Sequence, residues 1–203
     1  TIYITGLVKP LRGAHGTLIA YDDGITTNGL DATLAGVPLH VAGGVYGIGA
    51  PKVQFGLSGA GDLAQIQQAI APQQRQPVTG NVTFDALALG SLQSPVISGT
   101  FSAPVMTFRS FRFTQPDAMF LVHGHDVDIL RAGLHYGPVA VDAHGSVTLE
   151  KNVQTNLVAG LHAEGDRLPY VAQLVPGLHL DGLVHLEGSG TRIGGTGILS
   201  GTS

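Results

Sequence analysis

The chain has 203 residues, a formal net charge of −4, 30 glycines, neither Cys nor Trp, and only 12% charged residues. A soluble globular domain carries about 25% charged residues, so much of this surface is poor in charge. The few Lys and Arg are scattered, which argues against a nucleic-acid face, and the absence of Cys excludes disulfides and thiolate metal sites.

Turn signals recur about every ten residues, a spacing that predicts many short antiparallel strands. They are Asp22-Asp23-Gly24, Asn28-Gly29, Gly43-Gly44, Gly90-Ser91, Gln115-Pro116-Asp117, Gly137-Pro138, His144-Gly145 and Gly194-Gly195. Between them the pattern has period two. Val53, Phe55 and Leu57 alternate with Lys52, Gln54 and Gly56, and Val153, Thr155, Leu157, Ala159 and Leu161 with Gln154, Asn156, Val158 and Gly160. Leu178, Leu180, Val184 and Leu186 share one parity, with His179, Asp181, His185 and Glu187 on the other. Such strands have one apolar and one wet face. Two segments break the period. Asp62 to Ala71 carries Leu63, Ile66 and Ile70 at helical spacing, with Asp62 placed as N-cap and Pro72 as stop. Asp166 to Val175 repeats this with Leu168, Val171 and Val175, and Pro169 fits a first turn. No apolar run reaches the roughly 18 residues of a membrane-spanning helix.

Few residues suggest chemistry. His123 and His125, on one strand, would point the same way about 7 Å apart, and with Asp126 or Asp128 they are the one candidate divalent-metal cluster. The alternative is a wet strand face entering a turn. The glycine-rich stretches 44–49 and 188–195 lack a phosphate-loop ending and suit bulges and turns. Asn81-Val82-Thr83 has the form of a glycosylation acceptor but falls within a predicted strand. Phe101, Phe108, Phe111 and Phe113, with Val105 and Met106, form the densest aromatic patch, interrupted by Arg109 and Arg112. It suits a packed core or a groove wall whose arginines meet an anionic headgroup. No nucleophile with a nearby base and no paired-carboxylate pocket stands out, so the expectation is a non-enzymatic protein without cofactor.

The chain also repeats itself. Gly56-Leu57-Ser58-Gly59-Ala60-Gly61-Asp62 recurs 104 residues on, from Gly160 to Asp166; Gly80 answers to Gly182, and Ile97 to Leu199, 102 residues on. Units of about 16–98 and 99–200 within one continuous sheet follow, and the second copy stops where the first continues, as in a piece of a longer array.

Pro38 to Val45, and the run from Asp62 to Val82 with its "Asp-Leu-x-x-Ile…Pro" helix before "Gly-x-Val", resemble the TamB/AsmA-like envelope proteins. The resemblance implies an elongated, U-shaped antiparallel β-sheet with an apolar trough and, here, two short helices. It also implies a periplasmic protein anchored in the inner membrane of a diderm bacterium, acting in phospholipid transport and outer-membrane assembly beside a TamA-type barrel partner. Expected partners are thus phospholipid acyl chains, the rest of a parent chain and that barrel. Candidate groove positions are Phe55, Leu57, Val82, Phe84, Val105, Phe111, Val139, Val141, Leu157, Leu161, Val184 and Leu186. The competing expectation is a structural or adhesive β-solenoid, which needs rungs of about 20–30 residues and a closed core; no such short period is found.

Overall fold

A computed structural model of the chain describes residues 10–70, 77–149, 153–164, 177–189 and 192–202. It is mainly β. The elements are β1 (Leu11–Tyr21), β2 (Gly24–Leu34), β3 (Val37–Tyr46), β4 (Lys52–Asp62), α1 (Leu63–Ile70), β5 (Val78–Thr79), β6 (Asn81–Ser91), β7 (Pro95–Ser102), β8 (Val105–Phe108), β9 (Phe111–His123), β10 (Asp126–Tyr136), β11 (Val139–Thr148), β12 (Gln154–Glu164), β13 (His179–Ser189) and β14 (Arg192–Thr202). They form one 14-stranded sheet in the order β1-β2-β3-β4-β6-β7-β9-β10-β11-β12-β13-β14, with β5 and β8 joined to β9 as a side branch. Neighbours along the path are antiparallel and near in sequence. A coil of short rungs would instead stack its strands in parallel.

Alternation explains the strands that read cleanly. β4, β12 and β13 pair without a register shift over their whole length, and the predicted parities hold in each. The turn signals fare less well. Asp22-Asp23 and Gly137-Pro138 are turns, and Gly90-Ser91 ends β6, but Gly43-Gly44, His144-Gly145 and Gly194-Gly195 lie inside strands. Asn28-Gly29 sits at a bulge in β2, where the register jumps between Thr27 and Leu30, and the Gly29 amide donates to Thr27 Oγ1 at 3.2 Å. Gln115-Pro116 likewise lies within β9, with Gln115 at φ 51°. Glycine suits a bulge or a close strand approach as well as it suits a turn, so its presence marks irregularity without saying which kind.

The first predicted helix forms. Asp62 Oδ1 accepts from the amides of Ala64 at 2.8 Å and Gln65 at 3.2 Å, satisfying first-turn donors as an N-cap should. Ile66 packs on a buried cluster of Leu11, Ala32, Val37 and Leu39, so α1 covers one corner of the sheet. The second predicted helix, 166–175, lies outside the described residues.

The repeated blocks occupy equivalent strands, β4 and β12, but their partners are offset. Thr83 opposes Ala60, 23 residues later (83 − 60), whereas His179 opposes Glu164 after 15 (179 − 164). The second connection is thus eight residues shorter. Ladder equivalence therefore links Leu87, opposite Gly56, with Leu183, opposite Gly160, and separates Gly80 from Gly182.

Candidate functional site

Alternate residues of a strand share a face, and so do residues directly opposed across a ladder. The register therefore assigns each side chain to one of two faces. One row of opposed residues crosses all twelve strands of the path: Gly16, Leu30, Val41, Leu57, Ala86, Gly99, Phe120, Ile129, Gly145, Leu157, Leu186 and Gly195. Not one of them carries a polar side chain. At about 4.8 Å per strand the row is roughly 53 Å long. A parallel row runs from Ala32 through Leu39, Gly59, Phe84, Phe101, Ala118, Ala132, Ala143, Ala159 and Val184 to Gly197, again without a polar group.

The opposite face differs. Its matching row reads Asp31, His40, Ser58, Asp85, Thr100, Met119 and Arg131. Shallow depressions lie on this side, one of them lined by Ala42, Gly56, Ser58, Ser98, Leu87 and Met119. They are dimples in the surface, and the apolar rows form an open strip.

Eleven of the twelve candidate residues come together on the apolar face. Leu57, Leu157 and Leu186 lie in the first row, Phe84 and Val184 in the second. Phe55 opposes Gly43 and Ala88, Val82 opposes Gly61, Val141 opposes Leu161, and Val139 opposes Ala163. Phe111 belongs with them through its edge contact to Tyr136, centroids 5.8 Å apart. Val82 is buried and Phe111 is exposed; the other nine are half-buried. Val105 is a correction. It opposes Thr114, which in turn opposes His135, so it sits on the wet side. Ala103-Pro104 and Gln115-Pro116 form a paired kink, tied by the Ala103 and Gln115 amides donating to the Pro116 and Pro104 carbonyls at 2.9 Å. That kink resets the alternation.

Several face residues escaped the sequence pattern, among them Ile97, Phe120, Val122, Ile129, Leu134 and Tyr136. In β9 apolar residues occupy both parities, Met119 and Leu121 as well as Phe120 and Val122. In β10 a shift between Ile129 and Ala132 moves the inward set from odd numbers to even ones. Only the partner strands reveal the parity.

His123 and His125 stand where a strand enters a turn. His123 ends β9, while His125 lies in the turn after Gly124, whose φ is 63°. The two are not strand neighbours on one face. His123 instead meets Asp128 at 3.0 Å across the hairpin. No group of three or more metal-ligating residues converges among the described residues. Asn81 is the exposed first residue of β6.

Histidine–carboxylate pairs recur across the wet face: His40 with Asp31 at 2.8 Å and His162 with Asp181 at 2.7 Å. The hydrogen bond from His40 holds the Asp31 carboxyl below its ordinary range, helped by the charge of His40 and His15 and opposed by desolvation. A carboxylate depressed in the folded state stabilises above its unfolded pKa and loses that contribution as pH falls through the folded value. His40→Ala is therefore expected to move the Asp31 titration upward, read by NMR of its side chain. The pair is exposed, so the melting temperature near neutral pH should hardly change.

No family model, curated protein or solved structure matches the chain.

Proposed function

We propose that the apolar face binds hydrocarbon, and that the chain is a non-enzymatic segment of a periplasmic envelope protein serving phospholipid transport between membranes, outer-membrane protein assembly, or both. The observation that carries this reading is the unbroken apolar row across twelve strands. A sheet that merely covered a core would bury that row; here Leu30 alone of its twelve members is buried, and the rest are half-buried or exposed. The accessible surface points the same way: 12941 Å² for 20.9 kDa, against roughly 9,000 Å² for a globular monomer of that mass.

Each methylene removed from water contributes about 0.8 kcal/mol, so an acyl chain of about 16 carbons gains on the order of 10 kcal/mol gross along such a strip. No single residue is needed for that gain, and similar affinity at successive strands lets a guest slide. The resemblance of Pro38–Val45 and Asp62–Val82 to TamB/AsmA-like proteins supports the envelope setting, an inner-membrane anchor in a parent chain and a TamA-type barrel partner. No helix among the described residues is long and apolar enough to cross a membrane.

Native mass spectrometry after gentle isolation from a diderm bacterium tests the reading. Bound phospholipid, displaced by added detergent, is the expected result; a chain that never carries lipid overturns it.

A further inference from the structure

Strands β8 and β9 form a hairpin that leaves the main sheet. Thr114 opposes His135, so Phe111 and the Arg109–Ser110 turn project beyond Tyr136, the last residue of β10. The hairpin is amphipathic. Met106 opposes Phe113 and Phe108 opposes Phe111, on the side facing Tyr136, while Thr107 opposes Arg112 on the other side. The aromatic side continues the apolar face of the sheet, yet Phe111 and Tyr136 each remain 47% exposed. An aromatic cluster left half open at a projecting tip is placed to meet a partner.

Charge says what kind of partner. No Asp or Glu occurs between Asp85 and Asp117, whereas Arg109 and Arg112 do, in a chain of net charge −4. Among the described residues neither arginine pairs with a carboxylate. Arg109 lies over the Phe108 ring at 5.4 Å and holds φ 54°, a left-handed conformation uncommon for a long side chain. Its amide donates to the Pro77 carbonyl at 2.9 Å, so β5 holds the turn in place. That backbone is what a two-residue hairpin turn requires, and Ala35, Gly124 and Gly137 hold it at the same position of theirs; the turn fixes where the Arg109 side chain starts.

We infer that this hairpin docks on a phospholipid bilayer surface, with Phe111 and Tyr136 at the headgroup–acyl boundary and Arg109 and Arg112 against lipid phosphates. Tyrosine and arginine beside an apolar ring suit that boundary, where one end of each side chain is wet and the other is not. The inference goes beyond the hydrocarbon strip and does not depend on it, since the bilayer would be met by the rim of the sheet and not by its face.

The chain has no Trp, so Phe111→Trp supplies a single fluorescent reporter. With vesicles of phosphatidylethanolamine and phosphatidylglycerol, its emission should shift to the blue and be quenched by lipids brominated near the headgroup end of the acyl chain. In a flotation assay with the same vesicles, Arg109→Gln should weaken binding about fivefold, since a basic side chain near an anionic surface contributes about 1 kcal/mol; Arg109→Lys should restore most of it. A combined Leu157→Asp and Leu186→Asp background should leave both signals intact. Absence of the blue shift, or vesicle binding indifferent to Arg109→Gln, overturns the inference. So does a shift lost in the Leu157/Leu186 background, which would mean that the reporter follows lipid in the strip. A shift produced by a protein extract and not by vesicles would assign the tip to a protein partner and equally overturn it.

Discussion

Replacing Leu157 and Leu186 together by Asp is expected to lower phospholipid occupancy at least about 100-fold. The two residues oppose each other across β12 and β13, with Gly145 and Gly195 on their outer sides in the same row. They are thus the bulky centre of a four-strand stretch that a guest chain must cross. An aspartate at the centre of a hydrocarbon layer costs roughly 2.5–3.5 kcal/mol. Discounting two of them for the open, hydrated side of the strip leaves about 3 kcal/mol, or two decades in affinity. Two carboxylates face to face also strain the ladder, so a control must carry the same charges. Leu183 and Ile198 oppose each other on the other face of the neighbouring pair, and both are exposed. Leu183→Asp with Ile198→Asp should keep its lipid. Equal loss in both double variants, measured by native mass spectrometry, would mean that charge and not the apolar face controls occupancy.

Gly43→Val should destabilise the sheet by about 3 kcal/mol, near the upper end for a single change. Gly43 has φ 124°, and a Cβ built there would overlap the carbonyl oxygen of Gln54 in the next strand. The obstacle is backbone, so no rotamer change relieves it. On its other side Gly43 opposes Thr27, a buried residue beside the β2 bulge, leaving β3 no room to move away. Gly13 is the contrast: its φ is 59°, but nothing lies within 4 Å of its Cβ position. Gly13→Ala should then cost only the left-handed penalty of about 1 kcal/mol. Urea denaturation of the two variants compares them, and similar midpoints would deny that strand approach sets the role of Gly43.

The candidate site was legible wherever a strand runs without a bulge. In β4, β12 and β13, period two places Phe55, Leu57, Leu157, Leu161, Val184 and Leu186 on one face, and the ladders agree. The cap at Asp62 was equally readable, because it depends on contacts two and three residues away. Val105 was misplaced because alternation was carried across Ala103-Pro104, where a kink paired with Gln115-Pro116 resets it. His123 and His125 do not share a strand face for a related reason: His125 itself belongs to the hairpin turn that follows β9.

What the amino-acid order determined alone is therefore local: strand-forming alternation, one short helix with its cap, a scarcity of charge, and glycines at many of the places where the chain departs from regular pleating. Only the tertiary structure decided whether a given glycine turns the chain, bulges it or lets two strands close up. Only the tertiary structure, too, brought residues from Gly16 to Gly195 into a single row. Register is a relation between strands, and a shift of one residue in any of them would move its whole apolar set to the other face.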